Sequence, residues 1–244
     1  MTAAPSSSWS TPSTAGSSRR TRAPPSVSCA APAPDGDRPL CCGRTFLAAG
    51  LVDEARAEAR RTIAALLPFV EGGIPIVGLE PSCLLTLRDE FTVMLPGAES
   101  AALAKSALLF EEFVAAEIAA GRFALPVAAL PERAALVHGH CHQKSFNTVG
   151  AVETALRIVP GLDVKSFDAT CCGMAGAFGY EAEHYEMSLK IGELAVLPNM
   201  RAAASDTLIV AGGTSCRHQI AEGAERMAVH LARVLDRASA ARAS

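Results

Sequence analysis

Apolar positions change their period several times along the chain. From Leu51 to Val70, LVDEARAEARRTIAALLPFV repeats apolar residues at helical spacing with charges between them. Gly72-Gly73 then supply a stop, so one amphipathic helix is predicted. Pro75 to Leu79 reads as a short strand, with Ser82 placed to cap a helix starting at Cys83. Residues 99–120 read as one continuous helix, Ala134 to Val137 as a strand, and Asn147 to Val159 as a helix ended by Pro160-Gly161. Asp163 to Phe167 then predict a strand, Glu181 to Leu197 a helix, Leu208 to Ala211 a strand and Arg217 to Arg237 the last helix. Strands separated by helices predict an α/β fold built on a mostly parallel, doubly wound sheet.

Before Arg38 there is no such period. Of residues 1–37, 26 are Ser, Pro, Ala or Thr, and no carboxylate precedes Asp35. A segment of that kind buries too little surface to offset its ordering entropy, so a disordered low-complexity tail is expected over 1–37. An Arg- and Ser-rich, acid-poor start also fits a transit peptide, but six prolines spoil an amphipathic helix.

Composition narrows the function classes. Half of the 244 residues are apolar, net charge is −3, and no run of 18 apolar residues could span a bilayer. Four Lys and eighteen Arg are scattered, and twelve aromatics give little stacking surface, so nucleic acid is not an expected partner.

The unusual feature is eight cysteines, at 29, 41, 42, 83, 141, 171, 172 and 216. They carry an internal repeat. Cys83 follows Cys41-Cys42-Gly43 by 40 positions, and Cys216 follows Cys171-Cys172-Gly173 by 43. IVGLEPSC (76–83) also lies over IVAGGTSC (209–216). Cys141 leads the second copy, whereas the first has only Cys29, too close to Cys41 for a strand and helix to fit between them. The expected organisation is therefore a tail (1–37), a truncated first repeat (38–130) and a complete second repeat (131–244).

Clustered thiols beside an ample apolar core suit a reducing, cytoplasmic setting, where they bind metal or do redox chemistry more often than they form staples. Cys83, Cys141, Cys171, Cys172 and Cys216 each follow a predicted strand, at the edge where parallel sheets bind ligands. Cys83 and Cys216 also fall in predicted first helical turns, which favour thiolate. All-sulfur ligation points to zinc, copper(I) or an iron–sulfur cluster. The lack of any Cys-x-x-Cys argues against zinc ribbons, thioredoxin-like dithiols and ferredoxin runs, leaving a discontinuous site. Metal-free cysteine redox catalysis is a third reading. His138, His140 and His142 would share one face, opposite Cys141, if the strand continued through them; a ligand, a proton carrier and a donor to sulfur are their functional readings. His218 has an outer, orienting role as its functional reading, whereas His184 and His230 read as surface or satisfied residues. No catalytic acid or base is assigned.

These spacings, with the stretches GLEPSC, HGHCHQKSF, CCGMAGAFGYEAEHYEMS and GTSCRHQI, resemble the cysteine-rich CCG domain over about residues 38–236. That family includes the B subunit of heterodisulfide reductase and the iron–sulfur subunits of glycolate, D-lactate and glycerol-3-phosphate dehydrogenases. The stretches look most like the C-terminal part of proteins fusing a FAD-linked 2-hydroxy-acid oxidase to an iron–sulfur module. The resemblance implies an iron–sulfur cluster of 4Fe-4S type on Cys141, Cys171, Cys172 and Cys216, with Gly173 giving close backbone approach. It also implies Cys41, Cys42 and Cys83 as metal ligands in the first copy. FAD is expected on a missing domain or partner flavoprotein, and a quinone or other redox protein as electron acceptor. That places the chain in the cytoplasm, or peripherally at the inner membrane face, as an oxidoreductase component without dehydrogenase activity of its own. A displaced reading frame over the first 37 residues, making the chain a fragment, is part of the same expectation. The alternative is a zinc-binding structural module that docks an oxidase subunit.

Overall fold

The computed structural model describes residues 39–167 and 169–240. The expected tail and Cys29 lie outside the described residues. Two parallel sheets carry the architecture, as the alternation of elements predicts.

The smaller sheet pairs β1 (Ile76–Gly78) with β2 (Ala107–Leu109) in register Ile76 to Ala107. Around it lie α1 (Arg44–Ala48), α2 (Val52–Glu71), α3 (Pro81–Arg88), α4 (Glu90–Met94) and α5 (Ala98–Ser106). The buried stripe of α2 runs Ala55, Ala59, Thr62 and Ile63, the spacing that puts residues on one helical face. It packs with Leu85, Phe91, Leu103 and Leu109.

α6 (Phe110–Ala119) leads to the larger sheet, whose strand order is β4-β3-β5-β6, all parallel. The strands are β3 (Ala134–His138), β4 (Asp163–Ser166), β5 (Leu208–Ala211) and β6 (Ala228–Val229). α7 (Cys141–Ser145) and α8 (Val149–Leu156) lie between β3 and β4, and α9 (Tyr185–Glu193) and α10 (Val196–Ala202) between β4 and β5. α11 (Thr214–Ala224) follows β5, and α12 (Leu231–Ala240) follows β6. Because successive side chains of a strand face opposite ways, the sheet builds two cores. Ala135, Val137, Leu208 and Val210 join Leu156 and Leu235 on one face, whereas Ile209 and Ala211 join Leu197, Met200, Ile220, Cys172 and Cys216 on the other. The cysteines thus sit at the rim of a packed layer. Among the described residues no helix is long and apolar enough to cross a membrane.

Three predicted helices are interrupted. The one expected over 99–120 gives up Ala107–Leu109 to β2, because an Ala-Leu-Leu run suits either state and a free parallel partner decides. Arg88 Nε donates to the Ala107 carbonyl at 2.8 Å, and the Glu112 carboxylate accepts from Leu109 N at 2.9 Å, so α6 restarts there. The one expected over 181–197 starts at Tyr185 and breaks before Val196, since Pro198 has no N–H to continue the ladder. The last one stops at Glu225, in the left-handed region at φ 53°. There Arg226 donates to the carbonyls of Met200, Ala203, Ala204 and Thr207 and fixes the break. The cap of α3 also differs: Glu80 occupies it, and Pro81, pre-set in φ, takes the first helical position.

Candidate metal centre

β4, β3 and β5 end on the same side, and the chain reverses between β4 and β5, which makes the carboxyl ends of β3 and β5 the switch point of the sheet. Cys141 opens α7 just after β3, Cys216 lies in the first turn of α11 just after β5, and Cys171-Cys172 end the loop after β4. All four sulfurs join in one chain of contacts. Cys171 is held well below the usual thiol range by hydrogen bonds from Cys141 and then Cys172, whereas Cys141, which donates to it, is pushed up. Cys172 is raised by its bonds to Cys171 and Cys216, and Cys216 is lowered by Cys172 against the penalty of burial. The contacts thus favour thiolate at Cys171 and Cys216 and thiol at Cys141 and Cys172. None is in a disulfide, and Cys172 and Cys216 are buried.

The Cys171-Cys172-Gly173 turn is possible only with glycine at its end. Gly173 has φ +100°, and a Cβ there would collide with the Ser188 carbonyl oxygen. Its N–H points back at Cys171 Sγ, 3.3 Å away. Lys144 Nζ, one turn along α7 from Cys141, donates to the carbonyls of Ala169 and Thr170 at 2.6 and 2.8 Å, tying the loop before Cys171 to the helix that carries Cys141. Gln219, buried on α11, donates to the Ser188 carbonyl at 3.0 Å and completes the bracket around Gly173.

His138 ends β3 beside Ala211 and is 1% exposed. One of its ring nitrogens and the sulfurs of Cys172 and Cys216 all lie within 4.8 Å of one another. Among the described residues neither ring nitrogen has a hydrogen bond of normal geometry, and the ring instead faces the Cys216 sulfur, which it helps to hold below the usual thiol range. A buried polar atom left unpaired costs roughly 1–3 kcal/mol, so a pair of them marks a place built for a partner.

The first copy repeats the design with fewer donors. Gly43, at φ +74° and with a Cβ position 3.0 Å from the Ala55 carbonyl oxygen, directs its N–H to Cys41 Sγ at 3.4 Å. Cys83 occupies the turn of α3 that Cys216 occupies in α11. The bond from Cys41 acts downward on Cys42, but the contact with Cys83 and burial outweigh it and lift that thiol to about 11. Cys83 is lowered by the same contact, and Cys41, donating to Cys42, is raised. The two cysteine sets are joined by Glu80. One carboxylate oxygen accepts from Ser82 Oγ at 2.8 Å, and the other from both N and Oγ of Thr214 at 2.9 Å. Burial pushes that carboxyl up, but the bonds from Thr214 and Ser82 win and hold it below its usual value.

The shared face expected of His138, His140 and His142 does not form, because β3 stops at His138. His140 instead caps α7, its Nδ1 accepting from His142 N at 3.2 Å, and His142 Nε2 meets Arg44 Nη2 at 3.1 Å. His218 pairs with Tyr180 Oη at 2.6 Å, and His230 with the Leu79 carbonyl at 3.0 Å. His184 stacks on Phe178, with ring centroids 4.1 Å apart. The roles of Glu80 as a bridge and of Gln143 as an anchor were missed by sequence reasoning. The only sign of the first is that Glu80 aligns with Gly213, the cap of α11, in the internal repeat.

Residues 135–221, which span β3, β4, β5 and all four cysteines of this centre, match the family of the CCG cysteine-rich domain. Residues 135–221 carry a CCG cysteine-rich domain. Beyond the CCG domain, the chain is 29% identical over 181 residues to the C subunit of the anaerobic glycerol-3-phosphate dehydrogenase of Escherichia coli, covering 74% of this chain and 44% of that one. It is 30% identical over 172 residues to the D-2-hydroxyglutarate dehydrogenase of Escherichia coli, covering 70% of this chain and 16% of that one. Against the D-2-hydroxyglutarate dehydrogenase of Pseudomonas putida it is 28% identical over 196 residues, 77% of this chain and 18% of that one. The chain thus spans less than half the length of these curated relatives.

Proposed function

We propose that the chain is an iron–sulfur electron-transfer module serving a flavin-linked dehydrogenase, with its cluster held by Cys141, Cys171, Cys172 and Cys216. The observation that carries this reading is the convergence of four thiols, none in a disulfide, at the switch point of a CCG domain, beside a buried imidazole facing the Cys216 sulfur. The donor set fits the group: soft sulfur ligands from separate loops suit iron–sulfur chemistry, and two of the four thiols are already shifted towards the thiolate that binds metal. When bound, the cluster would accept and release single electrons, at a potential set by burial and by hydrogen bonds to sulfur.

The chain's own residues prepare that site. Gly173 N–H faces the Cys171 sulfur, Lys144 fixes the approach of the loop, and the buried layer under Cys172 and Cys216 keeps water away. Cys41, Cys42 and Cys83 form a second, three-thiol position coupled to the first through Glu80. Substrate oxidation would fall to a FAD-bearing domain or separate flavoprotein, since the relatives named for dehydrogenation extend far beyond the matched region. The substrate class is a 2-hydroxy acid, in line with the hydroxyglutarate relatives, and the acceptor a quinone or another redox protein.

Anaerobic purification tests the reading. The account expects a brown protein with iron and acid-labile sulfide, whose visible absorption bleaches on chemical reduction and returns when a soluble quinone is added. A colourless chain holding one zinc per site would overturn it in favour of a structural zinc module.

A further inference from the structure

Of the three histidines around Cys141, two each have one ring nitrogen engaged by the protein, although His142 Nδ1 is buried without a hydrogen bond among the described residues. His140 Nδ1 caps α7 and His142 Nε2 meets the Arg44 guanidinium. His138 is different in every respect that matters for ligation. It sits deepest, at 1% exposure on the last residue of β3; among the described residues neither nitrogen has a hydrogen bond of normal geometry, and the ring's contact is with the Cys216 sulfur. One of its ring nitrogens and the Cys172 and Cys216 sulfurs all lie within 4.8 Å of one another, close enough to be ligands of one metal atom given metal–sulfur bonds of about 2.3 Å and metal–nitrogen bonds of about 2.0 Å. Rigid elements fix all three: a strand end paired to Ala211, the first turn of α11, and a loop locked by Gly173.

We propose that His138 is a nitrogen ligand of the group held by Cys172 and Cys216, so that the centre is a mixed sulfur and nitrogen site and not an all-thiolate one. The inference rests on the functional reading above and adds a donor to it. Imidazole is neutral where thiolate is charged, so histidine at this position keeps the net negative charge of the centre lower, and its reduction potential higher, than a further thiolate there would. It also gives a buried ring nitrogen, without a hydrogen bond of normal geometry among the described residues, a strong partner.

The test is pulsed electron paramagnetic resonance on the reduced full chain, unlabelled and with 15N-histidine, followed by the same measurement and a potentiometric titration on His138→Cys and His138→Gln. The expected result is a strong nitrogen coupling that changes with the isotope and persists in His142→Gln. It disappears in both His138 variants, and the potential of His138→Cys falls. Because the wild-type labelling needs no variant, a His138 chain that fails to fold leaves the claim testable. Metal in the wild type with no strong histidine coupling, or with a coupling that survives in His138→Gln, overturns ligation by His138 while leaving the electron-transfer reading intact. A wild type that binds no metal overturns both.

Discussion

At the scale of single residues, the centre depends on positions where only one side chain is possible. Gly173 is the clearest. A φ of +100° is reserved for glycine, and the space a Cβ would need is filled by the Ser188 carbonyl. Gly176, three residues on, has φ +72° but open space around it. Gly173→Ala is therefore expected to abolish metal loading and to lower stability by several kcal/mol, strain and collision together. Gly176→Ala is expected to cost about 1 kcal/mol and keep the metal. Thermal unfolding and iron content of the two variants check this, and equal behaviour would contradict it. Much at this scale was legible beforehand. The doubled Cys-Cys-Gly and Ser-Cys spacing marked six of the cysteines and the place of Cys141 after a predicted strand a seventh, and the structure brings together Cys41, Cys42 and Cys83 in one set and Cys141, Cys171, Cys172 and Cys216 in another. His138 was not separable from His140 and His142, because period-two reasoning holds only while a strand continues, and β3 ends there.

At the scale of elements, α6 shows how a helix between the two sheets supports the site. Its Glu111 is buried and accepts a hydrogen bond from Gln143 Nε2, and Gln143 Oε1 in turn accepts from His140 N at 2.8 Å, holding the start of the helix that carries Cys141. Burial raises the Glu111 carboxyl from 4.5 to about 7. A carboxyl raised by folding binds its proton more tightly in the folded state, so it costs nothing below 4.5 and progressively destabilises the fold as pH rises from 4.5 to about 7. The penalty at and above that pH is on the order of 3 kcal/mol, from 1.36 kcal/mol per unit. Glu111→Gln keeps the size and removes the titration. Denaturant unfolding across this range should show the variant more stable than wild type near and above neutrality and matching it in acid; an unchanged pH slope would contradict the assignment. Elements of mixed Ala and Leu composition were the least legible in the sequence. Residues 99–120 carry a helical pattern throughout, and only the unpaired edge of β1, a long-range partner, turns Ala107–Leu109 into a strand.

At the scale of the whole molecule, two cysteine sets stand on two parallel sheets, and one carboxylate spans them. Glu80 caps α3 and reaches the first turn of α11, so the helices that present Cys83 and Cys216 share a single anion. The repeat announced the likeness of the two halves, but no pattern in the chain announces a bond between residues 134 positions apart. The central claim is that the four thiols of the CCG domain hold an iron–sulfur cluster. Iron and acid-labile sulfide per chain, measured on anaerobically purified wild type, Cys216→Ser and Cys83→Ser, test it most directly. The account predicts loss of the CCG-domain cluster in Cys216→Ser and its retention in Cys83→Ser. Iron and sulfide in Cys216→Ser equal to wild type would contradict it.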